Sequence, residues 1–176
     1  SSNAADWLLA RWPRLPAIDE ILTIVPLVDG SSWPREMTLA ENALLTAHRQ
    51  GLVSRHFVRA GAVREYAEQT IAEFRVKAGG PDAVARSLSG GNLQKFIVGR
   101  EIRQRPRVMI AAQPTWGVDV GAAAQIRQAL IDLRDAGVAV LVVSEELDEL
   151  FEICDRLVVI AQGRLAEARP TRDTNA

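Results

Sequence analysis

Two adjacent glycines behind a serine are the residues best suited to chemistry in this chain. They stand in Leu88-Ser89-Gly90-Gly91-Asn92-Leu93-Gln94-Lys95, directly opening a helical stretch. Glycine lets backbone N–H groups approach an anion with no Cβ in the way, and a helix N-terminus adds positive potential. The Ser89 hydroxyl supplies one more donor. Such a string can read a phosphate. Ser-Gly-Gly taken alone is equally the mark of a plain helix N-cap behind a flexible turn, and those three residues by themselves favour that plainer reading.

The elements around the string must hold it in place. Residues 88 to about 104 read as a loop opening a helix that Pro106 closes. Val108 to Ala111 is a short apolar strand, and Ala122 to Ala136 is amphipathic, with Ile126, Leu130 and Leu133 on one face and Gly137 as its stop. Val138 to Val143 is a continuous apolar run, as a strand buried on both faces requires. A short helix over Glu145 to Ile153, a strand over Leu157 to Ile160, then Gly163 and a last short strand complete the alternation. Helix, strand, helix, strand predicts an α/β fold with a mostly parallel sheet flanked by helices. Upstream, Thr38 and Glu41 form a capping box, and Val63, Ala67, Ile71 and Phe74 make an apolar stripe, so residues 35–87 read as a helical subdomain. Within the less readable segment 5–34, Ile18 to Val28 could hold a strand that Pro26 confines to an edge or an end. Ser1 to Ala4 reads as a cloning remnant, and residues 169–176 as a tail. No internal repeat or low-complexity tract is present.

Four strings together resemble the ATP-binding-cassette (ABC) family. Leu88-Ser89-Gly90-Gly91-Asn92 looks like its signature motif, in an LSGGN form. Twenty-two residues after Gly91, Gln113-Pro114-Thr115-Trp116-Gly117-Val118-Asp119 is similar to the end of the Walker B strand and the D-loop. Twenty-five residues beyond Asp119, Ser144-Glu145-Glu146-Leu147-Asp148-Glu149 resembles the switch region, and Asp155 to Arg164 the strand and hairpin that follow it. Order and spacing both match, over residues 36–168. Ala111 to Thr115 and Ser144 to Leu147 look most like the second cassette of two-cassette importers for simple sugars or nucleosides.

The departures are as informative as the matches. A phosphate-binding P-loop needs Gly-Lys-Ser/Thr; the only lysines are Lys77 and Lys95, and neither follows a glycine. The family pattern places Asp then Glu before Pro-Thr, where this chain has Ala112 and Gln113. Alanine cannot anchor Mg²⁺, and glutamine can hydrogen-bond a water but cannot act as a carboxylate base. Glu145 stands at the switch histidine, its negative charge ill suited to a γ-phosphate. The resemblance therefore implies a degenerate hydrolytic site with no catalytic residue expected active and no metal ligand.

What remains intact implies a role in trans. In this family one cassette's signature caps ATP held by the other's P-loop, so Ser89, Gly90, Gly91 and Asn92 are expected to contact the ATP of a partner cassette. Asp119 would link the two sites. ATP and Mg²⁺ belong to the full-length assembly and are not expected on this fragment. The expected partners are a second cassette in the same full-length chain and transmembrane permease subunits. The permease's coupling helix would dock on the helical block near Glu41-Asn42. The alternative is a regulatory or scaffold module that kept the fold and lost nucleotide binding; a soluble ABC ATPase of DNA repair or translation is disfavoured by the lack of sustained heptads.

Composition sets the outer bounds. The 176 residues are 48% hydrophobic and 24% charged, enough for one domain. A net charge of −1 offers no general grip on nucleic acid. The longest purely apolar run, Val138 to Val143, is far short of the ~20 residues that span a bilayer. The single Cys154 excludes an internal disulfide, fits a reducing compartment and reads as a structural thiol, so the expected place is the cytoplasm, held at the inner face of the plasma membrane through the permease. His48 and His56 lack partners at metal-ligand spacing. Trp7, Trp12, Trp33 and Trp116 are scattered, and Trp116 suits an interface and core packing equally.

Overall fold

The computed structural model describes residues 21–24, 35–54 and 57–174. A three-stranded parallel sheet lies at its centre: β1 (Ile21–Ile24), β4 (Val108–Ala112) and β5 (Ala139–Val143), in the order β1-β4-β5. Ile21 pairs with Val108, and Val108 with Ala139, so the three strands run in step. The middle strand alternates. Met109 and Ala111 are buried in one core with Ile126 and Leu130, while Val108, Ile110 and Ala112 face the other way, half-buried.

Three helices surround a fourth that is buried on nearly every side. α1 (Leu39–Ala47) begins at the expected capping box: Thr38 N donates to Glu41 Oε2 at 2.8 Å, and Glu41 N donates to Thr38 Oγ1 at 3.2 Å. The bond from the Thr38 backbone, with a second from its hydroxyl, holds the Glu41 carboxyl below its usual pKa. After Gly51, at φ 74°, two short strands, β2 (Val53–Ser54) and β3 (Phe57–Val58), lead to α2 (Ala60–Glu73). α3 (Gly90–Ile102) is the central helix, and every residue from Leu93 to Glu101 is buried. α4 (Val120–Asp135) is capped by Asp119 and stopped at Gly137, where φ is 89°. α5 (Leu147–Ile153) follows β5.

A buried polar network joins the first three helices. Arg100 donates from Nη1 to the Asn42 carbonyl and from Nε to Glu101 Oε1, both at 2.8 Å, and Tyr66 Oη donates to the Arg100 carbonyl at 2.8 Å. Burial pushes the Tyr66 hydroxyl up to about 12, so it stays a neutral donor.

The structure departs from the sequence reading at four places. The expected strand over Leu157 to Ile160 is split into β6 (Arg156–Leu157) and β7 (Ile160–Ala161). The halves take different partners: β6 pairs with β9 (Arg169–Pro170), and β7 with β8 (Arg164–Leu165) across a Gln162-Gly163 turn. A single straight strand could not reach both. Among the described residues β5 is covered on one face only, with Leu141 and Val143 exposed. The block between residues 35 and 87 holds the β2–β3 pair besides its helices. Asn42 lies inside the core, its Nδ2 donating to the Thr38 carbonyl at 3.0 Å, so of the Glu41-Asn42 pair only Glu41 faces outward. In the Ile18 to Val28 stretch, Ile21–Ile24 is a strand at the sheet's edge; the remainder, with Trp7, Trp12, Trp33 and His56, lies outside the described residues.

Candidate functional site

Ser89 is the N-cap of α3, with extended backbone (φ −65°, ψ 156°). Its Oγ accepts from Asn92 N at 3.5 Å and from Asn92 Nδ2 at 2.9 Å. Asn92 Oδ1 in turn accepts from Lys77 N at 2.8 Å, which moors the loop to the segment after α2. These bonds use the Ser89 oxygen as an acceptor; among the described residues its proton has no partner. Ser89 and Gly90 are exposed, and Gly91 is buried. The first turn of a helix leaves N–H groups without intrahelical acceptors. An exposed hydroxyl donor beside that turn is suited to an anion.

Gly91 has a second reason to be glycine. A Cβ there would stand 2.9 Å from Asp119 Oδ2 and 3.0 Å from the Ala122 Cβ. Asp119 caps α4 by accepting from Ala122 N at 2.9 Å. The N-termini of α3 and α4 thus meet at Gly91, and the signature string and Asp119 share one surface. Gly90 is freer, since a Cβ there meets only the Gly117 carbonyl, at 3.6 Å. From inside, Gln94 Nε2 donates to the Pro114 carbonyl at 3.0 Å and fixes α3 to the end of β4.

At that end Ala112 pairs with Val143, and Gln113 takes a left-handed φ of 49°. A non-glycine residue there carries about 1–2 kcal/mol of strain. Two bonds hold it: Gln113 N donates to the Val143 carbonyl at 2.7 Å, and the Gln113 carbonyl accepts from Trp116 N at 3.2 Å. The structure thus brings Ala112 and Gln113 beside Ser144 and Glu145 at the C-terminal ends of adjacent strands. No carboxylate comes from β4. Glu145 is exposed, and Glu149, buried, accepts from Thr115 Oγ1 at 2.7 Å through Oε1. Among the described residues no group of three or more His, Cys, Asp or Glu side chains could hold a metal.

Sequence reasoning gave no role to Gln94, Lys95 or the Thr115–Glu149 pair. Lys95 Nζ donates to the Arg75 carbonyl at 2.8 Å; burial lowers its pKa and Asp119 opposes that shift. A helix buried on nearly all sides has no polar face to betray such residues. The available signal was polar side chains beside Leu93, Phe96 and Ile97, each of which needed a buried partner.

Cys154 is half-buried, and desolvation, reinforced by Asp155 and Glu149, pushes its thiol up to about 11. At pH 8 it is therefore expected to react with a disulfide reagent about 100-fold more slowly than an exposed cysteine. A rate within a factor of three of free cysteine, read by absorbance, would contradict the structural assignment.

The comparisons with known proteins bear on the fold. No family model matches the chain. The nucleoside import ATP-binding protein NupA of Lactococcus lactis is 44% identical over 131 residues, which are 74% of this chain and 26% of that protein. The guanosine import ATP-binding protein NupO of Bacillus subtilis is 40% identical over 141 residues, 79% of this chain and 28% of the relative. The glucose import ATP-binding protein TsgD13 of Haloferax volcanii is 42% identical over 117 residues, 65% of this chain and 21% of the relative. The chain thus spans about a quarter of the length of the relatives it matches. Among solved structures, a dimeric ATP-binding cassette in a post-hydrolysis state with ADP and Pi superposes with a TM-score of 0.70 at 20% identity, covering 88% of this chain and 64% of that one. A nucleotide-free cassette from an ABC transporter gives 0.63 at 23% identity, covering 86% and 61%. The fold is that of an ATP-binding cassette.

Proposed function

Given this fold, and relatives that are import ATP-binding proteins for nucleosides and sugars, we propose that the chain is the signature-bearing part of a second, degenerate cassette in such an importer. Ser89, Gly90, Gly91 and Asn92 complete an ATP site whose P-loop belongs to a partner cassette in the same full-length chain. Asp119, packed against Gly91, transmits the state of one site to the other. The observation that carries this reading is the exposed anion-receiving start of α3, kept beside a β4 end that offers no carboxylate. Bound ATP with Mg²⁺ would supply the phosphoryl chemistry. This chain's own residues present N–H and O–H donors to the phosphate and exclude water.

Lengths support two cassettes. As 131 residues are 26% of NupA, that relative has about 500 residues; as 88% of 176 residues covers 64% of the solved cassette, one cassette has about 240. The uncovered face of the sheet agrees with a phosphate-binding part supplied from elsewhere in a longer protein. A parallel sheet is normally covered on both faces, and here Leu141 and Val143 are exposed and Ile110 and Ala112 only half-buried. In the assembly the cassette pair would sit on the cytoplasmic side under permease subunits, with the imported compound chosen elsewhere. No nucleic acid is involved.

The direct test is a titration of the 176-residue chain with a fluorescent ATP analogue. It is expected to bind weakly, with Kd well above ~10 μM, because that affinity needs about 7 kcal/mol from a site without its main phosphate donors. Stoichiometric binding at or below that value would overturn the assignment of the P-loop to another part of the protein.

A further inference from the structure

The Asn92 side chain is engaged at both ends inside the protein. Its Oδ1 accepts from Lys77 N at 2.8 Å, and its Nδ2 donates to Ser89 Oγ at 2.9 Å. A backbone N–H can only donate, so the end of the amide facing Lys77 must be the oxygen and the end facing Ser89 the nitrogen. The donor at Lys77 is itself held. Its neighbour Val76 is buried, and Lys95 Nζ donates to the Arg75 carbonyl at 2.8 Å. Through Asn92 and Lys95, α3 therefore grips the 75–77 segment at two points.

This order of donors decides what Ser89 can offer. A hydroxyl oxygen has two acceptor positions and one proton. At Ser89 both acceptor positions are taken from the protein side, by Asn92 Nδ2 and, at 3.5 Å, by Asn92 N. Only the proton is left for a ligand, and Ser89 is exposed. The hydroxyl is thereby restricted to donating, which suits an ionised phosphate oxygen. We propose that Asn92 is a positioning residue: it acts on nucleotide through Ser89, holding the hydroxyl with its proton toward a terminal phosphate, and makes no contact with ATP of its own. The role rests on the reading that the signature string meets ATP in trans. Within that site Ser89 is the contact, Asn92 sets the direction of its proton, and Lys77 N sets the direction of the Asn92 amide.

A double-mutant cycle in the full-length protein tests this role. It is read by affinity for the non-hydrolysable analogue adenylyl imidodiphosphate, by affinity for ADP, and by ATP turnover. Ser89→Ala removes a donor to a charged phosphate and should weaken analogue binding and turnover about tenfold or more. Asn92→Ala keeps that donor but leaves it to be ordered by the ligand, and should cost about fivefold in both. The double variant should lose no more than Ser89→Ala alone, because Asn92 then has nothing to position. ADP, which lacks the terminal phosphate, should bind all four proteins alike. If the loss from Asn92→Ala persists in the Ser89→Ala background, Asn92 touches nucleotide or holds the loop by itself, and the proposal is overturned. Wild-type values for Asn92→Ala beside an impaired Ser89→Ala would overturn it as well, while leaving the trans site standing. A silent Ser89→Ala would instead remove the trans site, and the positioning role with it.

Discussion

Gly90→Asp in the full-length protein is expected to lower steady-state ATP turnover by about 100-fold or more while leaving the melting temperature unchanged or slightly raised. The two effects separate because aspartate in the first turn of a helix suits the dipole, so the free fold gains from it. Room exists as well: a Cβ at Gly90 has only the Gly117 carbonyl near it, at an ordinary 3.6 Å. The same charge then stands where the proposed γ-phosphate must arrive. Two like charges about 4 Å apart at an effective dielectric near 20 repel by about 4 kcal/mol, and ~2.7 kcal/mol already accounts for 100-fold. Gly90→Asn, of the same size without the charge, should lose much less. If the chain were a scaffold that had given up nucleotide, phosphate release would be the same in wild type and Gly90→Asp, and the trans role would be finished. The neighbouring glycine is the wrong place for this experiment. Gly91 looks equivalent in the sequence, but a side chain there would press on Asp119 and Ala122, so lost turnover could come from a disturbed fold.

That contrast between two adjacent glycines shows where the sequence stops speaking. Local signals were readable: the Thr38–Glu41 box, the Gly137 stop of α4, the alternation that made the sheet parallel. Each depends on residues within one or two turns of each other. What could not be read depends on contacts between segments far apart. Asn42 lies in the core, where its carbonyl accepts from Arg100, fifty-eight positions away. Val138 to Val143 has the composition of a strand covered on both faces, yet Leu141 and Val143 are exposed, and apolarity alone cannot say which face is packed. The β2–β3 hairpin escaped because its loop has none of the Asn-Gly or Gly-rich pairs that announce a tight hairpin. At the candidate site the four signature residues were legible as a string. That Lys77 holds Asn92 and that Asp119 packs against Gly91 became visible only with coordinates.

The same limit shows at Gly99, where an added Cβ would meet the Phe74 ring. In the middle of α3, glycine should cost about 1 kcal/mol relative to alanine, so sequence rules predict that Gly99→Ala stabilises the protein. The structure predicts the reverse. A Cβ at Gly99 would lie 2.4 Å from Cδ2 and 2.5 Å from Cγ of Phe74, whose ring sits directly on the helix backbone at the end of α2. Those ring atoms are near the root of the side chain and cannot swing aside without moving the α2 terminus. Overpacking of this kind costs about 1–3 kcal/mol, and displacing a part-buried phenylalanine adds to it. After the propensity gain is subtracted, a net loss of about 2 kcal/mol is expected, or about 4–8 °C in Tm for a chain of this length. A double-mutant cycle isolates the cause. In a Phe74→Ala background the obstacle is gone, and Gly99→Ala should raise stability by about 0.5–1 kcal/mol, its ordinary helix preference. This reversal of sign is what urea unfolding must show. If Gly99→Ala is neutral or stabilising with Phe74 present, or equally damaging without it, Phe74 is not what keeps this position a glycine.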